Sequence, residues 1–124
     1  MDYERFKYIV NRERVMHSYR FGEGYTYIAK SEDGKVYKVG FSWKPLNREK
    51  KIGGDYAKFG FKMAYLFRGN IECEILSGLS IAGAKLAVPE GKSSKHREAY
   101  YLSQQDVQFL IEYCFFKPID KFNI

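Results

Sequence analysis

A chain of 124 residues is one domain's worth of protein, enough for a single core and not for two. With 45% hydrophobic and 18% aromatic residues it is not a disordered chain, and no apolar run is long enough to cross a bilayer as a helix. The formal net charge of +6 favours an anionic partner, and nucleic acid is the commonest large polyanion such a chain meets. Charge from Asp2 onward does not resemble a signal peptide, so a cytoplasmic location is expected. Cys73 and Cys114 have the spacing of neither a zinc site nor a disulfide framework and read as reduced thiols.

From Met1 to His17 the residues Tyr3, Phe6, Ile9, Val10 and Met16 recur at helical spacing, which predicts a helix with a packed apolar stripe. Lys7, Arg12 and Arg14 form its solvated side, and His17, close to its end, complements the helix dipole and takes no catalytic role. With the glycine-containing connector Tyr19 to Glu23, this makes an N-terminal piece, 1–22, packed on the body of the domain, 23–124. Tyr25 to Ile28 is an aromatic and β-branched run that predicts a strand. Ser31 to Gly34 supplies a turn, and Lys35 to Gly40 alternates with Val36 and Lys38 on one side, Tyr37 and Val39 on the other. The stretch reads as a β-hairpin. Pro45 then fixes a helical φ, with Ser42 as a nearby cap, so a short helix is predicted from Leu46 to about Lys51, holding Arg48 over the hairpin.

Glu49 to Gly60 carries Lys50, Lys51, Lys58 and the pair Gly53-Gly54, which predicts a mobile basic loop able to approach phosphate. Phe61 to Phe67 reads as a third strand, ended by Arg68-Gly69-Asn70. A helix follows, with Asn70 as cap, Glu72 and Glu74 in its first turns, and Ile71, Ile75 and Leu79 as its buried edge. The competing reading closes a second hairpin at Gly69-Asn70 and makes Ile71 to Leu76 a strand. From Ser80 to His96 the signals weaken, and helical order is expected only before Pro89. Arg97 to Leu102 reads as extended. Ser103 to Lys117 is the clearest helix, capped by Ser103, with Asp106 in its first turn and Val107, Leu110, Ile111, Cys114 and Phe115 on one face, stopped by Pro118. The expected fold is α/β (α+β): a small three-stranded antiparallel sheet flanked by helices.

Tyr25-Thr26-Tyr27, ten further residues, and Lys38-Val39-Gly40 resemble the paired signature of the GIY-YIG nuclease superfamily. Lys38 stands where many members carry a second tyrosine, but Tyr37-Lys38-Val39-Gly40 is similar to the Tyr-Lys-Ile-Gly form of a branch common in phage genes, as is the block from Glu98 to Ile111. The resemblance implies a divalent-metal-dependent endonuclease that hydrolyses DNA phosphodiesters with Mg²⁺ or Mn²⁺. It places the motif tyrosine at Tyr27, with Tyr25 and Gly40 supporting, and the phosphate-binding arginine at Arg48. The family glutamate, on a helix after the third strand, maps best onto Glu72, with Ile75 and Leu79 three and seven positions later. Glu74 fits less well, and Glu98, beside aromatics, is the third candidate. The branch often has a histidine four positions after its glutamate, where this chain has Leu76.

The residue types suit the chemistry. Phosphodiester hydrolysis needs an activated water, compensation for charge on the phosphoryl oxygens and help for the leaving oxygen. Tyr27 would be base or proton relay, Lys38 the cation beside it, Arg48 the planar clamp on the phosphate, and one carboxylate the metal ligand. Lys50, Lys51 and Lys58 would follow the DNA backbone. Singly, each has a plainer role: packed strand tyrosines, surface charges, a carboxylate at a helix N-terminus. In another class, the chain is a catalytically silent nucleic-acid-binding module of the same fold, or a protein that binds and inhibits another protein.

Overall fold

The computed structural model describes residues 1–16, 24–49, 52, 54–88, 97–114 and 117–118. In chain order these form α1 (Tyr3–Met16), β1 (Tyr25–Lys30), β2 (Val36–Ser42), α2 (Pro45–Glu49), a 3-10 turn (Gly54–Phe59), β3 (Lys62–Arg68), α3 (Glu72–Ile81), β4 (Lys85–Leu86), β5 (Ala99–Tyr101), α4 (Gln104–Cys114) and β6 (Lys117–Pro118). The strands make one antiparallel sheet in the order β4-β5-β2-β1-β3-β6. The centre of that sheet, β2-β1-β3, is the predicted three-stranded unit. The expectation of three strands in all is corrected to six, because β4, β5 and β6 are two or three residues long and show no alternation to read.

The β1–β2 hairpin is closed by side chains. The Ser31 hydroxyl donates to Asp33 Oδ1 at 2.6 Å and accepts the Val36 N–H at 3.0 Å, while Asp33 Oδ1 also accepts the Lys35 N–H at 2.9 Å. Gly34, at φ 75°, supplies the left-handed residue of the turn. The Ser31 hydrogen bond, and then the Lys35 amide, hold the Asp33 carboxyl below its ordinary range. A depressed carboxyl contributes stability above its unfolded pKa and loses it as pH falls through the folded one. Asp33→Asn is therefore expected to flatten the acid limb of thermal stability, measured by melting the chain and the variant across pH 2 to pH 6.

Alternation sends the two sides of each central strand to different cores. Ile28, Tyr37 and Val39 pack with Phe6 and Val10 of α1, Ile75 and Leu79 of α3, and Val107 and Leu110 of α4. Tyr27, Ala29 and Val36 face the other way, against Tyr56, Phe61, Ala87 and Ala99. α1 thus shares a core with the rest of the chain. It also approaches α3 closely, since a Cβ at Gly78 would crowd the Phe6 ring and Val10.

The helix reading after β3 holds, and the second hairpin is overturned. The buried Thr26 hydroxyl donates to the Gly69 carbonyl at 2.7 Å and accepts the Ile71 N–H at 2.9 Å, so the chain turns from β3 directly into α3. Asn70 is not the cap. Ile71 holds that position with no side-chain cap bond. In α4 the capping expectation is met: the Ser103 hydroxyl accepts the Asp106 N–H at 3.0 Å, and Asp106 Oδ2 accepts the Ser103 N–H at 3.1 Å. The helix is described to Cys114 and does not reach Lys117, because Lys117 and Pro118 pair with β3.

Two smaller expectations also change. α2 begins at Pro45, one residue before the predicted start, and Ser42 does not cap it; its hydroxyl accepts the Lys44 N–H at 3.1 Å, forming the turn that leads in. The stretch 54–59 is a 3-10 turn rather than a mobile loop, since burial of Tyr56 anchors it to the sheet. Lys50, Lys51 and Gly53 lie outside the described residues, as do His17, the connector 19–23 and the stretch 89–96. Among the described residues no helix is long and apolar enough to cross a membrane.

Candidate functional site

β1 and β2 pair Tyr27 with Gly40. A side chain on Gly40 would run into the Tyr27 ring and hydroxyl, so the glycine makes room for the tyrosine to lie across β2. Lys38, two residues earlier on the same side of β2, donates from its ammonium to the Tyr27 hydroxyl at 2.9 Å. Both side chains are shut away from water, at 0% exposure for Tyr27 and 5% for Lys38. The ammonium also lies 5.1 Å from the centre of the Tyr27 ring and 5.8 Å from that of Tyr56, so two π faces take the place of part of its hydration.

Among the described residues the Lys38 ammonium also has a carboxylate neighbour. β5 pairs with β2 so that Ala99 lies opposite Lys38, and the Glu98 carbonyl accepts the Val39 N–H at 2.9 Å. That register sets Glu98 Oε2 3.5 Å from Lys38 Nζ, with the Glu98 side chain 49% exposed. Glu98 also borders, with Ser77, Ser80 and Arg97, a cleft of about 360 Å³. Tyr27, Lys38, Gly40 and Glu98, 71 positions apart in sequence at the extremes, therefore form one cluster with a single solvent-facing acid.

The other predicted residues lie elsewhere. Arg48 is exposed on α2, which packs on β2 and β3. Glu72 opens α3 and is half-buried; α3 packs on the sheet face opposite Tyr27. Glu74 is fully buried with neither carboxylate oxygen hydrogen-bonded to a described residue, one turn before Gly78 on the side of α3 that α1 covers. Tyr25 is engaged by Arg68, which donates to its hydroxyl at 2.8 Å and lies 5.0 Å over its ring. Lys58 is exposed on the last turn of the 3-10 segment.

Sequence reasoning missed Tyr56 and Arg68. Tyr56 sits in a segment read for its lysines, and the aromatic spacing Tyr56, Phe59, Phe61 was the signal that it is a packed element. Arg68 read only as the end of a strand.

A divalent ion can be tested against these positions. Among the described residues no three histidine, cysteine or acidic side chains converge. Mg²⁺ needs fewer, because it keeps several waters and takes one or two carboxylates. A half-exposed carboxylate such as Glu98 fits a hydrated ion, whereas the enclosed Glu74 leaves no room for its waters. No family model matches the chain, and neither do any of the curated proteins or solved structures compared with it.

Proposed function

We propose that the chain is a divalent-metal-dependent endonuclease that hydrolyses DNA phosphodiesters, built on the hairpin carrying Tyr27, Lys38 and Gly40. The observation that supports this best is the desolvated ammonium of Lys38, oriented by Tyr27 at 2.9 Å and flanked by Glu98 at 3.5 Å. A cation held in a water-poor setting acts on developing negative charge far more strongly than one in bulk water. In this reading Lys38 stabilises charge on the phosphoryl oxygens, Tyr27 orients the ammonium and relays a proton, and Arg48 binds the phosphate through its planar fork. A bound Mg²⁺ or Mn²⁺ would supply Lewis acidity and an activated water. Spacing favours Glu72 as its ligand, and position favours Glu98, whose carboxylate is beside Lys38 and open to solvent.

Incubation of the purified chain with single- and double-stranded DNA, with Mg²⁺, Mn²⁺ or chelator, tests the reading. Cleavage products are expected only with metal. Glu98→Gln is expected to abolish them while Glu72→Gln retains them, each compared with DNA binding measured in chelator. The reverse result assigns the metal to Glu72 and leaves Glu98 as the counter-ion of Lys38.

One observation favours the silent nucleic-acid-binding module instead: Tyr27 and Lys38 are buried, with Tyr56 packed beside them, so neither side chain is open to a substrate in this conformation. Salt-sensitive binding is common to both readings, because neutralising phosphates releases counterions. Binding without products across several metals and substrates selects the module.

A further inference from the structure

Trp43 is the only tryptophan of the chain and is 63% exposed. It stands at the end of the sheet where β2 leaves, and the Phe41 ring supports it edge-to-face at 5.5 Å and 81°. Phe41 is itself seated against the backbone of Gly24, where any side chain would collide with its ring. The indole is thus held from below while most of its surface faces water. Aromatic pairing fixes the orientation of the indole, which leaves its outer face presented to solvent.

The surroundings say what covers it. Tyr25 pairs with Ser42 and bridges to Gly69, which brings the exit of β3 to the same end of the sheet. Arg68 also lies at that end, but stacked on Tyr25 and so on the sheet face opposite Phe41. Lys44 follows Trp43 directly, and Arg48 is one turn on, its N–H bonded to the Lys44 carbonyl. Lys44 and Arg48 are both exposed, and no carboxylate whose side chain is described pairs with either. An apolar protein partner would meet the charges of Lys44 and Arg48 next to the ring in the chain. An unpaired nucleotide brings a π face for the indole and phosphates for the cations.

We propose that Trp43, with Lys44 and Arg48 following it in the chain, is a stacking platform for an unpaired base, so that the chain prefers nucleic acid containing single-stranded nucleotides over blunt duplex. This rests on the reading that the chain binds nucleic acid, but not on cleavage. A duplex keeps its base faces stacked on one another, so only a single strand, a flap or a displaced base offers one to the indole.

Because Trp43 is the sole tryptophan, its fluorescence reports the contact directly. With metal withheld, the full chain is titrated with a thymidine oligonucleotide, an abasic oligomer of the same length and a blunt duplex. Saturable quenching is expected with the thymidine strand and much less with the other two. Trp43→Ala is expected to weaken thymidine binding by roughly 10- to 100-fold with little change for the abasic oligomer, and Trp43→Phe to restore most of the loss. Equal quenching by the abasic oligomer, or unchanged affinity in Trp43→Ala, overturns the proposal. So does quenching that tracks chain concentration without DNA, since that means a second copy covers the ring. Cleavage is scored separately: quenching without cleavage in metal removes the nuclease reading and keeps the platform, and cleavage without quenching does the opposite.

Discussion

Lys38→Met is expected to reduce the single-turnover rate of metal-dependent DNA cleavage by about 10²- to 10³-fold, the usual effect of removing one charge-stabilising donor from a reaction centre. The same substitution is expected to leave the melting temperature within a few degrees of the parent. Methionine matches the length and volume of lysine and carries no charge to desolvate, and Glu98, the partner left behind, is half-exposed and keeps water. Against that, the buried Tyr27 hydroxyl loses its donor, at a cost of about 1–3 kcal/mol. The two effects offset. A purely structural lysine would give the other pattern, in which cleavage tracks stability. The measurement is a paired one, rate and thermal unfolding on the same preparations, and a large loss of stability with an intact rate per folded molecule would remove Lys38 from the mechanism.

Arg48→Lys is expected to separate rate from binding. The guanidinium can donate two parallel hydrogen bonds to one phosphate and lysine cannot, so the variant keeps the charge and loses the fork. If Arg48 engages the phosphate as charge develops, cleavage should fall by about 10²- to 10³-fold while DNA affinity in chelator changes little. Its exposed place on α2 means that the substitution removes no described side-chain partner and leaves the fold intact. Lys58→Ala supplies the comparison: modestly weaker binding, and a salt dependence flatter by about one phosphate contact or less. Matching losses of rate and affinity in Arg48→Lys would make Arg48 an ordinary phosphate-binding side chain.

The local elements were legible because each carries its own signal in consecutive residues. The hairpin follows from an aromatic, β-branched run, the Ser31–Gly34 turn and strict alternation, and the structure keeps that alternation, with Val36 facing Tyr27 and with Tyr37 and Val39 on the other side. α4 was readable for a similar reason, since Ser103 and Asp106 cap each other across three residues and the apolar positions repeat at helical spacing. The juxtaposition of Tyr27 with Gly40 was within reach as well, because a tight turn fixes the register of the two strands it joins.

What joins distant segments was decided only by tertiary structure. Glu98 reaches Lys38 because β5 docks on β2 in one register, and a three-residue strand has no pattern that specifies its neighbour. Tyr56 closes over the ammonium because the 3-10 turn buries its ring, in a segment whose lysines dominate the sequence. Glu72 and Glu74 looked alike as carboxylates in the first turns of a helix, yet the packing of α1 against α3 leaves one half-buried and encloses the other completely. The sequence by itself determined the three central strands, the β1–β2 hairpin and the main helices, since these depend on spacing and turn chemistry within a few residues. Which acid stands beside the lysine, and which aromatic covers it, depended on the packing of segments up to 60 positions apart, and only the folded chain decides that.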